Sequence, residues 1–90
     1  PNVNIPSGFS PNGDGKNDVW RINILEEFPR AKVQVYNRWG ELLYEQANGY
    51  TKPWDGTYNG EALPIGTYYY VVDFNSDRFK SMTGPITIVR

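Results

Sequence analysis

Glycine, proline, asparagine and aspartate interrupt this sequence at close intervals, and between the interruptions apolar residues recur with a period of two. A long helix has no room under that punctuation, whereas short strands joined by tight turns fit it directly. The longest run, residues 67–74, reads TYYYVVDF and sets Tyr68, Tyr70, Val72 and Phe74 on one face against Tyr69, Val71 and Asp73 on the other. Residues 32–36 place Val33 and Val35 between Lys32 and Gln34, and residues 41–46 follow after NRWG, where Gly40 supplies the positive φ of a short hairpin loop. Residues 19–25 alternate in the same way, with Trp20, Ile22 and Ile24 on one face and Arg21 and Asn23 on the other.

The remaining elements follow from the same signals. Val3 to Ile5 is expected to be a first strand, and residues 25–28 (LEEF) to form a turn of helix or an irregular crossover that Pro29 stops. Ser76 and Asp77 are expected to turn the chain. Residues 79–82 then return, Gly84-Pro85 breaks or bulges the run, and residues 86–89 finish it at a sheet edge, because proline has no N–H for a ladder. The fold expected is all-β: an immunoglobulin-like antiparallel β-sandwich of about seven strands, spanning residues 1–90 as one domain.

Composition narrows the function. With 90 residues the chain closes one core, filled by three Trp, seven Tyr and four Phe. The formal charge of −1, with cations and anions interspersed, provides no basic stripe for nucleic acid. No apolar run approaches the roughly 20 residues of a membrane-spanning helix, so no membrane insertion of its own is expected. The sequence shows no basic-then-apolar leader ahead of a small-residue cleavage site, and a start at Pro1 without an initiator Met is expected of a piece excised from something longer.

Histidine and cysteine are both missing, which removes the commonest general base, the thiol nucleophile and the usual zinc ligands together. Carboxylate pairs such as Glu26 with Glu27, or Asp55 with Glu61, are the remaining material for hydrolysis. Neighbouring carboxylates on an exposed loop rarely converge on one bond, and no enzymatic activity is expected.

SPNGDGKNDVW, Ser10 to Trp20, admits two readings. Framed as a calcium loop from Ser10, it sets Asn12 third, Asp14 fifth, Gly15 at the required glycine, Lys16 as carbonyl donor and Asp18 ninth. The twelfth position is Arg21 where a bidentate Glu belongs, so a calcium site would need ligands from elsewhere. Framed as turns, Pro11-Asn12-Gly13 and Asp14-Gly15 reverse the chain while Asp14 and Asn17 bond local amides. Aromatic content raises carbohydrate binding as an alternative function, with Trp39 beside a hairpin turn and Trp54 in PWDGTYNG as candidate stacking platforms. Trp54 is expected to cap one end of the sandwich, with Asp55 and Gly56 turning the chain. A calcium-stiffened adhesin module is the other alternative.

In order along the chain, FSPNGDGKNDVW, VQVYNRWGELLYE, PWDGTYNGEALPIGTYYYVVDF and GPITIVR closely resemble the type B C-terminal sorting domain of the type IX secretion system, also described as the gliding-motility-associated C-terminal domain. The WDG…GTYYY part also occurs in other immunoglobulin-like modules, such as that of flagellar hook-capping proteins. PNGDGKND followed by NRWG is the more specific part. The resemblance implies a non-catalytic signal, with calcium as a candidate stiffener, at the end of a larger surface or secreted protein, exported through the periplasm to the cell surface or extracellular space. It also implies a partner in the secretion machinery, an outer-membrane β-barrel of PorP or SprF type, with the domain itself a monomer. The terminal strand, Ile86, Thr87, Ile88, Val89 and Arg90, is the expected partner-binding edge, because an edge strand offers unpaired backbone groups for β-augmentation.

Overall fold

The computed structural model describes residues 5–11, 13, 18–77 and 80–89. In chain order the strands are β1 (Gly8–Phe9), β2 (Lys32–Tyr36), β3 (Leu42–Gln46), β4 (Thr57–Tyr58), β5 (Glu61–Ala62), β6 (Gly66–Asp73) and β7 (Met82–Ile88), with one 3-10 helix at Asn23–Glu27. They form a five-stranded sheet in the order β1-β7-β6-β2-β3 and a two-stranded sheet, β4-β5. The seven strands are all-β and compatible with the β-sandwich expected. One pairing departs from the antiparallel rule: β1 runs parallel to β7, with Gly8 opposite Thr87 and Phe9 opposite Ile88.

Alternation decides which face of the large sheet is buried. Val33 and Val35 of β2, Tyr68, Tyr70 and Val72 of β6, and Ile86 and Ile88 of β7 all point inward, while Tyr69 and Val89 remain exposed. The β2-β3 hairpin forms as expected, with Gly40 at φ +82° and a bulge where Leu42 and Leu43 share the position opposite Tyr36. The β4-β5 hairpin turns through Asn59 (φ +53°) and Gly60 (φ +81°), the left-handed pair that a two-residue hairpin loop demands.

Residues 19–25 are not a strand. Trp20 and Ile22 are buried as expected, but the period then changes from two to three: Ile22, Leu25, Phe28 and Ala31 are buried in succession. Leu25 N–H donates to the Ile22 carbonyl at 3.1 Å, Phe28 to Leu25 at 3.0 Å and Ala31 to Phe28 at 3.0 Å. Side chains three apart stack along one side of such a run, so successive tight turns keep one apolar edge on the core where a strand would have rotated Leu25 out. Among the described residues the first strand is β1; Val3 and Asn4 of the expected first strand lie outside them, and Ile5 is packed against the core without strand pairing.

Gly84-Pro85 does not break β7 either. The β6-β7 register continues unbroken from Gly66↔Ile88 to Val72↔Met82. Gly84 is there because Tyr70, directly opposite, lays its ring over it: a Cβ on Gly84 would lie 2.9 Å from the Tyr70 hydroxyl and 3.1 Å from Cζ. Pro85 falls on the part of β7 that β1 does not cover, so its missing N–H leaves no gap between those strands. Gly84→Ala is therefore expected to destabilise the domain by about 1–3 kcal/mol through overpacking against a buried ring. Urea denaturation should show the midpoint falling, and the loss should shrink when Tyr70→Phe removes the clashing hydroxyl.

Candidate functional site

The inner face of the sheet is closed by two irregular segments, one carrying Trp20 and the other Trp54, which are 0% and 1% exposed. One side chain and one backbone bond tie them. The Tyr50 hydroxyl donates to the Trp20 carbonyl at 2.6 Å and accepts from the Trp54 N–H at 2.9 Å, while Trp20 N–H donates to the Trp54 carbonyl at 2.8 Å. Each indole is satisfied as well, Trp20 Nε1 on the Pro6 carbonyl at 2.8 Å and Trp54 Nε1 on that of Thr57 at 3.1 Å. Ring centres of Phe9, Tyr68 and Tyr44 lie 5.5, 6.0 and 6.2 Å from that of Trp54. Trp54 caps the core from inside it, so the paired tryptophan platform for sugar is not formed.

Trp39 behaves differently. It is 75% exposed, yet its loop is pinned. The Asn37 side-chain oxygen accepts from the N–H groups of Trp39 (2.9 Å) and Glu41 (3.0 Å), its Nδ2 donates to the Glu41 carboxylate (2.8 Å), and Gly40 N–H donates to the Asn37 carbonyl (3.0 Å). The Arg38 guanidinium carbon lies 4.3 Å from the Trp39 ring centre. Across a groove of about 280 Å³ stands Ile65, 64% exposed, in a loop held by the Tyr68 hydroxyl donating to the Pro64 carbonyl at 2.7 Å. The sequence had singled out Trp39 but not Ile65. Its signal was frame: counted back from β6, odd positions face outward, so an isoleucine between Pro64 and Gly66 is an apolar residue aimed at solvent.

The terminal strand is not an open edge over its whole length. Ile86 and Ile88 are buried, and the outward N–H groups of Thr87 and Val89 donate to the carbonyls of Ser7 (2.8 Å) and Phe9 (3.1 Å). β1 therefore occupies the backbone positions that a docking strand would need, which corrects the physical basis given for the 86–90 edge; Arg90 lies outside the described residues. Of the calcium frame, Asn12, Asp14 and Lys16 also lie outside them. Asp18 is described, and its Oδ1 accepts from Gly13 N–H at 2.9 Å, a loop-closing contact.

Glu26, Glu27, Asp55 and Glu61 are exposed. Asp55 accepts from the Thr57 hydroxyl at 2.6 Å and its N–H at 3.2 Å, which is turn chemistry. Among the described residues no three Asp, Glu, His or Cys side chains gather as a metal site, and no helix is long and apolar enough to cross a membrane.

The family model described as CHU_C Type IX secretion signal domain matches residues 3–88. The chain belongs to that family. A type IX secretion signal domain carries a C-terminal address for export toward the cell surface or extracellular space, and so interacts with the secretion machinery. No curated protein and no solved structure matches the chain.

The clamp of this secretion signal domain has a pH signature. Burial, with the Asp55 charge adding to it, pushes the Tyr44 phenol up to about 12, and burial pushes Tyr50 higher still against the opposing hydrogen bond from Trp54. A phenol that resists ionisation in the folded state contributes stability that is complete below the unfolded value near 10 and is lost as pH rises from there through the folded value. The urea midpoint should hold to about pH 10 and decline above it. Tyr50→Phe, which leaves the Trp20 carbonyl and Trp54 N–H without their partner, should cost about 1–3 kcal/mol at neutral pH and make the alkaline decline shallower; a midpoint unchanged by the substitution would show that the clamp bears no load.

Proposed function

We propose that this domain is a non-catalytic signal read in its folded form, after passage into the periplasm, by an outer-membrane partner, a β-barrel of PorP or SprF type. The observation that carries the reading is that the shape is fixed without crosslinks. Among the described residues sixteen buried hydrophobic side chains form one core, and no buried side-chain polar atom lacks a partner. A folded recognition element keeps affinity by not reorganising on binding, and a pinned, aromatic-filled sheet suits that role. Family membership supplies the secretion context, and the absence of histidine and cysteine agrees with a surface that binds rather than reacts.

The test is a reporter fused ahead of the domain in a host with type IX machinery. Deleting residues 85–90 should trap the reporter inside the cell. The doubly truncated core, Trp20→Ala with Trp54→Ala, loses about 3–5 kcal/mol at each site, enough to unfold a domain of ordinary stability. It too should be retained. Export of that unfolded variant at the parental level would contradict recognition of the folded form, and crosslinking of the parent to the β-barrel should disappear with it.

A further inference from the structure

Resting on that reading, we propose that the end of the sheet carrying Trp39, Ile65 and Val89 is the surface docked by the protein partner, with Arg38 meeting a carboxylate on it. Three strand ends converge there. β2 leads into the Trp39 hairpin, β6 begins just after Ile65, and β7 ends at Ile88, which faces Gly66. Ile65 immediately precedes Gly66, and Val89, 49% exposed, immediately follows Ile88. Leu42, at the base of the hairpin, is also exposed.

Two features distinguish this patch from stray surface hydrophobics. Its backbone is pinned: Asn37 organises the Trp39 loop and Tyr68 holds the Ile65 loop, so exposed apolar groups are presented at fixed positions and little conformational freedom is lost on docking. Its charge is uncompensated: Arg38 lies on the Trp39 ring and, among the described residues, forms no ion pair, while nearby Glu41 accepts from Asn37. A tryptophan and an arginine together at the rim of an apolar groove are the residue types that dominate interface energetics. A carboxylate on the partner completes the guanidinium's planar set of donors.

Polarity of the chain favours the same end. Because β1 runs parallel to β7 and pairs with its last residues, Gly8 with Thr87 and Phe9 with Ile88, the chain from Ile5 to Ser7 runs along β7 away from the Trp39 pole. The occupant is a protein surface with an apolar pocket and an acidic rim, because a type IX secretion signal domain engages the secretion machinery and Arg38 offers a cation without an ion pair among the described residues.

The experiment uses the complete reporter fusion. Trp39→Ser with Ile65→Ser, and separately Arg38→Glu, should each lower the exported fraction by about tenfold or more, as loss of central interface residues does; Arg38→Lys should lose less, and Lys80→Ser at the other pole should export normally. Thermal melts of the purified fusions should match the parent, since the altered side chains are exposed. Export of the pole variants at the parental level, with the parent exported, overturns this surface alone. Retention of the parent itself overturns the folded-signal reading and this surface with it. Sedimentation showing parental self-association, or flotation showing vesicle binding, that Trp39→Ser abolishes would reassign the patch to a second copy or to lipid and overturn the proposal.

Discussion

One hydroxyl group, with one backbone hydrogen bond beside it, ties together the segments that form the second layer of this molecule. The large sheet is held by its own ladders, but the segments that cover its inner face have little regular pairing, and uncovered their backbone groups would face an apolar core without partners. Tyr50 resolves that conflict by accepting from one segment and donating to the other, while Trp20 N–H and the Trp54 carbonyl close the same bridge from the opposite side. With the two segments registered in this way, both indoles enter the core and each still finds a carbonyl for its N–H. The cover is therefore specific rather than merely greasy.

That economy explains how so short a chain dispenses with disulfides. Large rings fill the interior with few residues, and three of them, Tyr50, Tyr68 and Tyr44, also stitch loops together, the last by donating to the Lys52 carbonyl at 2.6 Å. Rings that pack and bond at once leave no cost in unpaired polar groups. The glycine opposite Tyr70 belongs to the same scheme, since space for a ring on one strand is made by the lack of a side chain on its neighbour.

Legibility in the sequence followed the physics of each element. Period-two runs with pairing partners on both sides, Lys32–Tyr36 and Gly66–Asp73, could be read almost to the residue, because one buried face dictates alternation. Residues 19–25 could not: Trp20 and Ile22 alternate correctly, but the apolar spacing of three from Ile22 to Ala31 outlasts it and sets the local structure. Gly84-Pro85 looked like a break because local propensity does not register that a ring lies across the strand gap. The exposed positions were mixed. Trp39 was visible beside its turn, Trp54 was not recognisably buried, and the occupation of the last strand's edge by β1 depends on a contact between opposite ends of the chain.

That contact has a consequence for when the address comes into being. β7 lies between β1 and β6, so the earliest strand of the domain has nothing to align on until the latest has been synthesised. Synthesis is vectorial, and ladders between distant segments form only after both exist. A ribosome that stalls before Ile88, or a protease that clips the tail, yields a passenger without a completed sheet. The sheet is thereby completed only once residues 82–88 exist, and truncation within them leaves both neighbours, β1 and β6, without their shared partner.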